Sequence, residues 1–386
     1  MKVKDVKANI VKGNFDWVLV RVETDEGIVG VGEAYQGHAV KEVILKGLKP
    51  LVLGEDPLNI EYLYQKMYRY AAGWGNIAGT VVTGISGIEI ALWDIKGKVL
   101  DAPVWMLLGG KFRDRVRIYC DCGRGRTYTT EGYKDLAREV RKLGFTAYKF
   151  DIDGLFALYD LDYFKNIPGG SWKDRFNRCL SPEEIDHVTE IARVVKDEMG
   201  KEFELALDCH WSFNVNDALR LAKNLEDLDL LWLEDPVPPE NVDAMAIVTK
   251  STKTPICTGE NLYTRYGFRD LILKQAAKIV SPDIPKAGGL LESKKIADLA
   301  DIYYIPIAPH NVSSPVGTIA SAHVCASIPN FLILEHHGKD VTWWDNLVKD
   351  RPVIRKGYVE LTDKPGLGVD LDENEVIKHL KEGEEW

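Results

Sequence analysis

Six residues with chemically useful side chains stand at near-regular intervals in the second half of the sequence, each closing a short apolar run. FELALD ends at Asp208, LLWLE at Glu234, PICTGE at Glu260, KIVSPD at Asp283, IPIAPH at His310 and FLILE at Glu335. The steps between them are 26, 26, 23, 27 and 25 residues. Asp208, Glu234 and Glu260 are carboxylates in succession, with no thiolate or imidazole required, which is the donor set of a hard cation. Mg²⁺ suits it best, because a few carboxylates hold it while other positions stay open for substrate oxygens; Mn²⁺ is the natural substitute. One strand-end acid alone would more simply be a helix cap, but three at nearly equal spacing favour a shared ligand set. Asp283 and His310 end the next two runs, and a carboxylate beside an imidazole raises its basicity and fixes its tautomer, as a general base requires.

The stretch LALDCHWSFN sets Asp208, Cys209 and His210 side by side. On a strand, Asp208 and His210 would share one face and Cys209 would point to the other, into the layer between strands and helices. His210 then lies beside the metal centre, and since Mg²⁺ disfavours imidazole its expected task is proton transfer; the plainer alternative is a histidine merely hydrogen-bonded there. Cys120 and Cys122 form a C-x-C pair with no second pair to complete a zinc site, and strand alternation explains their spacing. Six cysteines in 386 residues are too sparse for a disulfide framework.

Residues this far apart can meet only if regular elements carry them to one place. Helical patterns such as NDALRLAKNL, RDLILKQAAK and ESKKIADLA lie between the apolar runs, and strand plus helix plus loops fills the observed step. From Val116 onward this rhythm predicts an α/β fold, a parallel (β/α) barrel. The competing open sheet would place its ligand at one switch point, whereas here every run ends in a polar residue. The segment before it, residues 1–115, has a different pattern. WVLVRVETDEGIVGVGEAY alternates around a hairpin turn at Asp25-Glu26-Gly27, and Ile88, Ala91, Leu92, Ile95 and Val99 form a helical stripe, which together predict an α+β unit. One barrel step is long: Lys149, in AYKFD, lies 59 residues before Asp208. The excess, rich in aromatics, glycine and charge, predicts a lid over 155–178 rather than a linker.

A formal net charge of −10 with no basic stripe argues against nucleic acid as a partner, and an anionic small substrate would need locally placed cations. MKVKDVKANIVKG lacks an apolar leader, and no run of 18 apolar residues occurs, so no membrane association and a cytoplasmic location are expected.

ALWDIKGK at 91–98, LLGGK at 107–111, LALDCH, LEDP, TGEN, SPD, the GG of KAGG and APHN together resemble the enolase superfamily, mandelate racemase subgroup, over nearly the whole chain. Asp208-x-His210 is similar to the galactonate dehydratase type within it. The resemblance implies a (β/α)7β modified TIM barrel over 116–335, with an α+β capping domain built from 1–115 and the returning segment 336–386. It also implies a homo-oligomer, up to an octamer, and Mg²⁺-assisted removal of a proton next to a carboxylate. In that scheme His310, oriented by Asp283, takes the C2 proton of a sugar acid, and His210 protonates the departing C3 hydroxyl. Glu335 hydrogen-bonds the carboxylate on the side opposite the metal, where Lys149 could add a cation.

The sequence departs from the subgroup at one informative place. Racemases carry K-x-K on the second barrel strand, the second lysine being a base; here the run is Lys149-Phe150-Asp151. Two-base racemisation is disfavoured and one-base dehydration of an aldonate (gluconate, galactonate, arabinonate or xylonate) to a 2-keto-3-deoxy acid is expected. An epimerase or cycloisomerase would need Asp151 in the lysine's place. An amidohydrolase would need H-x-H on the first strand, which RIYCDCG lacks, and presence of every proton-transfer residue argues against a non-catalytic relative. Selectivity is expected from Phe15 to Trp17, Tyr70 to Ala78 and the lid.

Overall fold

Alternating apolar residues near the N-terminus build a three-stranded antiparallel sheet in the order β1 (Val3–Lys12), β2 (Asp16–Thr24), β3 (Val29–Ala34). The computed structural model describes residues 1–35, 37–122, 129–152 and 179–386, so the insertion expected as a lid, 155–178, lies outside the described residues. The Asp25-Glu26-Gly27 turn joins β2 to β3, with Gly27 at φ 82 and the Thr24 N–H closing on the Ile28 carbonyl at 3.0 Å. β1 does not show a simple period-2 pattern, since Ala8 to Val11 are buried in succession, and its register shifts between Val3 and Asp5.

By its contacts the chain forms two compact units, one of Met1–Ile118, Glu260–Arg269 and Pro282–Trp386, the other of Tyr119–Gly259 and Asp270–Ser281. In the first, the helix Thr80–Val99 packs on β3 so closely that a Cβ on Gly30 would lie 2.1 Å from the Ala91 carbonyl oxygen, and one on Gly32 2.3 Å from that of Gly87. Only glycine fits there. The helix is buried on nearly every side, although the sequence suggested a single stripe. Its two buried acids take up orphan backbone donors. Glu89 accepts from the N–H groups of Leu290 (2.8 Å) and Leu291 (3.1 Å), at the start of the helix Gly289–Asp301, and from Trp93 Nε1 at 2.7 Å. Asp94 accepts from Val31 and Leu367 N–H groups and from Lys98 Nζ. Glu33 of β3 does the same for Ser314 and Gly317 at the start of the helix Pro315–Ala326.

The remaining strands are β4 (Arg115–Asp121), β5 (Ala147–Asp151), β6 (Glu204–Asp208), β7 (Trp232–Glu234), β8 (Ile256–Thr258), β9 (Ile279–Val280), β10 (Leu334–His336), β11 (Ile354–Arg355) and β12 (Tyr358–Glu360). β4 to β9 pair in parallel in chain order, β10 pairs with β4, and the β11–β12 hairpin joins β4 antiparallel. The run that ends at His310 contributes only a parallel bridge, Ile307 to Phe331. This is the connectivity of a modified (β/α) barrel. Side-chain caps start the intervening helices: Ser181 with Glu184 as a full capping box, Asn214, and Asn241. No helix among the described residues is long and apolar enough to cross a membrane.

Glu89→Ala would leave two buried donors and one part-buried donor without their acceptor, and at about 1–3 kcal/mol for each buried one a loss of at least about 2 kcal/mol is expected. Urea unfolding of wild type and variant measures it; a change within about 0.5 kcal/mol would mean that water replaces the carboxylate.

Candidate active site

Parallel register brings the first acids level. Asp151 of β5 pairs with Asp208 of β6, and Asp208 with Glu234 of β7. Lys149, two residues before Asp151 and so on the same face, is 1% exposed, with Nζ 2.8 Å from Asp208 Oδ2 and 3.0 Å from Glu234 Oε2. Asp121, the last residue of β4, stands 3.5 Å from the same ammonium. Trp232 Nε1 adds a bond of 2.7 Å to Glu234 Oε2. Burial would raise the Asp208 pKa, but the Lys149 and His210 charges and the hydrogen bonds they donate hold it down at about 2. When ionised, these three carboxylates gather around one ammonium in a buried place. Buried carboxylate oxygens gathered in one place are the donors that a divalent hard cation prefers. Asp121 was missed by the sequence, although it ends RVRIYCD as Asp208 ends ELALD. Lys149 was expected on the far side of a bound carboxylate; here its ammonium lies against Asp208 and Glu234.

His210 sits beside this group by a different route from the one expected. β6 ends at Asp208, so strand alternation does not reach His210, which lies in a left-handed turn with φ 42, followed by Trp211 at φ 58. The Asp208 carboxylate accepts the His210 backbone N–H at 3.0 Å, and His210 Nε2 comes to 3.9 Å from Asp208 Oδ2 and 4.0 Å from Asp151 Oδ1. Cys209 is fully buried.

Glu260 follows β8 by two residues. In its own unit, Glu260 Oε2 lies 3.2 Å from His310 Nε2, while His310 Nδ1 is bonded to Asp283 Oδ2 at 2.6 Å. Glu335 Oε2 is 4.0 Å from the same Nε2. An imidazole whose Nδ1–H is given to a buried carboxylate keeps Nε2 as the atom that exchanges protons. Burial would lower the His310 pKa, but Glu260, Glu335 and Asp283 outweigh it and raise it to about 10. Two further residues support this group without having been singled out. Asn311 gives its backbone N–H to Glu335 Oε2 (3.1 Å) and its amide to the Glu335 carbonyl (3.0 Å), so the chain after His310 fixes Glu335. Lys286 is buried, donates to Asn261 Oδ1 at 3.0 Å and lies over the ring of Tyr35 at 4.6 Å, which in turn faces His310. The N in APHN and the K in KAGG were legible as motif letters, but nothing local says what they touch.

The raised His310 pKa has a stability consequence whose sign is fixed. A folded-state value above the ordinary 6.5 means that the imidazolium stabilises the fold fully below pH 6.5, and that this contribution is lost as pH rises through about 10. In metal-free protein the stability gap between wild type and His310→Asn should therefore narrow between about pH 7 and about pH 10.5, read as urea midpoints; a constant gap would contradict the raised value.

Residues 8–109 match the mandelate racemase/muconate lactonizing enzyme N-terminal domain, and residues 132–375 the enolase C-terminal domain-like family. Among characterised relatives, the D-xylonate dehydratase of Haloferax volcanii is 48% identical over 388 residues, covering 99% of this chain and 90% of that one. Among solved structures, a mandelate racemase/muconate lactonizing enzyme-like protein from Rubrobacter xylanophilus is 42% identical with a TM-score of 0.92, covering 100% of this chain and 98% of that one. The 3,6-anhydro-D-galactonate cycloisomerase of Zobellia galactanivorans is 28% identical with a TM-score of 0.85, covering 99% and 100%. Strand-end carboxylates, a histidine held by an aspartate and matches to both domains over most of the chain agree: it belongs to the enolase superfamily, in its mandelate racemase/muconate lactonizing enzyme family.

Proposed function

We propose that this protein is a Mg²⁺-dependent hydro-lyase that converts an aldonate to its 2-keto-3-deoxy acid, with D-xylonate first among the candidates and arabinonate, gluconate and galactonate after it. The observation that carries the reading is the Asp283–His310 pair, 2.6 Å apart, with Nε2 left to take a proton, in a chain that has Asp151 where a racemase has its second base. The 48% identity to a D-xylonate dehydratase supports the choice of reaction and of substrate. Mn²⁺ would substitute for Mg²⁺ on the same oxygen donors.

Asp208, Glu234 and Glu260 would hold the metal, since their buried carboxylate oxygens are the donors a hard cation prefers. When bound, the cation supplies positive charge against the negative charge that develops as C2 is deprotonated. His310 Nε2 takes the C2 proton while Asp283 holds Nδ1 and the resulting imidazolium. Glu335, fixed by Asn311, bonds to the substrate's carboxylate side, and the Lys149 ammonium adds positive charge. His210, as an imidazolium, gives a proton to the C3 hydroxyl, which leaves as water, and the enol rearranges to the ketone. The C2 proton ends on His310 and the His210 proton leaves with the hydroxide as water, so the substrate loses one H2O in all and the two histidines are reset by proton exchange with solvent.

Chelation with EDTA should abolish turnover and Mg²⁺ should restore it better than Zn²⁺; Glu234→Gln should lose both Mg²⁺ binding, followed by calorimetry, and activity, because an amide is the weaker ligand. Full activity in metal-free buffer would end the reading. The histidines separate by isotope exchange. His310→Asn should block both dehydration and exchange of the C2 hydrogen with D₂O, whereas His210→Asn should keep exchange and lose roughly 10²–10⁴-fold in product formation, the usual weight of a general acid. An analogue lacking the C3 hydroxyl isolates exchange from elimination. Reversed behaviour would swap the two roles, and an epimerised rather than dehydrated product would replace the reaction.

A further inference from the structure

Three residues other than glycine take left-handed backbone conformations at or next to the expected acid: His210 (φ 42), Trp211 (φ 58) and Asp235 (φ 42). Each such residue costs on the order of 1–2 kcal/mol and persists only where its surroundings leave no other choice. Glycine at 210 or 211 would relieve that cost, but glycine at 210 would carry no imidazole. The surroundings here are specific. Trp211 gives its backbone N–H to the Asp235 carbonyl at 2.7 Å and its indole Nε1–H to Asp235 Oδ2 at 2.8 Å. On either side, Cys209 N–H bonds to the Glu234 carbonyl at 3.0 Å and Phe213 N–H to the Pro236 carbonyl at 3.1 Å, so the turn is stitched along the residues that follow β7.

Asp235 is itself buried and held from the next strand. Its N–H bonds to the Cys257 carbonyl at 2.9 Å, and its Oδ1 accepts the Thr258 hydroxyl. A carboxylate out of water is expensive unless its oxygens are occupied, so both bonds on Asp235 resist being broken. The Trp211 ring meets the His210 ring edge-on, centroids 5.6 Å apart at 63°. The chain of contacts thus runs from β8 through Thr258 and Asp235 to the indole, and from the indole to the imidazole.

We propose that Asp235 and Trp211 are positioning residues for His210, a latch that holds the imidazole over Asp151 and Asp208 and so serves the loss of the hydroxyl and not the removal of the C2 proton. This rests on the reading of His210 as proton donor. Trp211→Phe keeps the ring and removes the N–H. In the Mg²⁺-loaded full-length protein it should lower dehydration by roughly 10–100-fold, the range that a small misplacement of a reacting group produces, with C2 exchange into D₂O near the wild-type rate. A merely structural role would lower both rates together and move the unfolding midpoint. Placed on His210→Asn, Trp211→Phe should do nothing further to dehydration, since the group it positions is already gone. Asp235→Asn, whose single remaining acceptor cannot serve both Thr258 and Trp211, is read in the same way should the indole variant fold poorly. A full additional loss in the His210→Asn background, or an unchanged ratio of dehydration to exchange in Trp211→Phe, overturns the latch alone. Normal dehydration by His210→Asn itself overturns both the latch and the reading it rests on.

Discussion

Buried negative charge is the constraint on which the rest of this structure depends. Asp121, Asp208 and Glu234 are almost wholly removed from water, and the Lys149 ammonium lies against all three, with Trp232 contributing a dipole to Glu234 and the charge of His210 acting on Asp208. A carboxylate in such a place is tolerated only when paired or hydrogen-bonded. The unit is thus built around buried carboxylates that converge on one ammonium. Its strands β5 to β9 are only two to five residues long. Their parallel register sets Asp151, Asp208 and Glu234 at one level, and that regularity concentrates the charge.

The same side-chain chemistry is put to opposite use in the other unit. Glu33, Glu89 and Asp94 are as deeply buried, but they face backbone N–H groups, largely at helix starts, and act as internal caps. Burial raises Glu33 and Glu89 to about 7, with their hydrogen bonds working in the other direction. Neutral donors stabilise a carboxylate locally and leave no need for a metal. What separates the two groups of acids here is therefore the company they keep: backbone N–H groups around Glu33, Glu89 and Asp94, with Lys98 added at Asp94, and neighbouring carboxylates gathered on Lys149 in the other unit. Glu33 also ties the chain beyond His310 through Ser314 and Gly317, so a structural acid limits how far the expected base can move.

That distinction explains what the amino-acid sequence made legible. Spacing fixes the level of a residue along the barrel, and the acids at 208 and 234 close β6 and β7, while Glu335 lies within β10. Direction and partner are non-local and cannot be read from spacing. Lys149 lies 59 residues from Asp208, and nothing in AYKFD says that its ammonium turns to those acids. Asp121 obeyed the rule that found the others but was not counted. His210 was placed on the right side for the wrong reason: the strand stops at Asp208, and a left-handed turn does what alternation would have done. Such a turn has no signature when the residues in it are His and Trp and not Gly or Asn, because tertiary bonds impose it.

The asymmetry between the two histidines follows from these same contacts. His310 is enclosed and held at Nδ1 by a buried aspartate, so its orientation is determined and its affinity for a proton is high until the surrounding negative charge is offset. His210 is partly exposed, with Nε2 3.9 Å from Asp208 Oδ2 and 4.0 Å from Asp151 Oδ1. The left-handed turn sets the direction in which its side chain leaves the backbone. A group that takes a proton from carbon needs basicity and a fixed direction, whereas a group that hands a proton to a departing hydroxyl needs access and a modest pKa. Enclosure beside Asp283 supplies the first at His310, and the partly exposed turn supplies access at His210. On the proposed reading, one enclosed base with one accessible acid removes water across a carbon–carbon bond, whereas returning a proton to the opposite face of the deprotonated carbon would need a second base, and Asp151 stands where the resemblance would place that lysine.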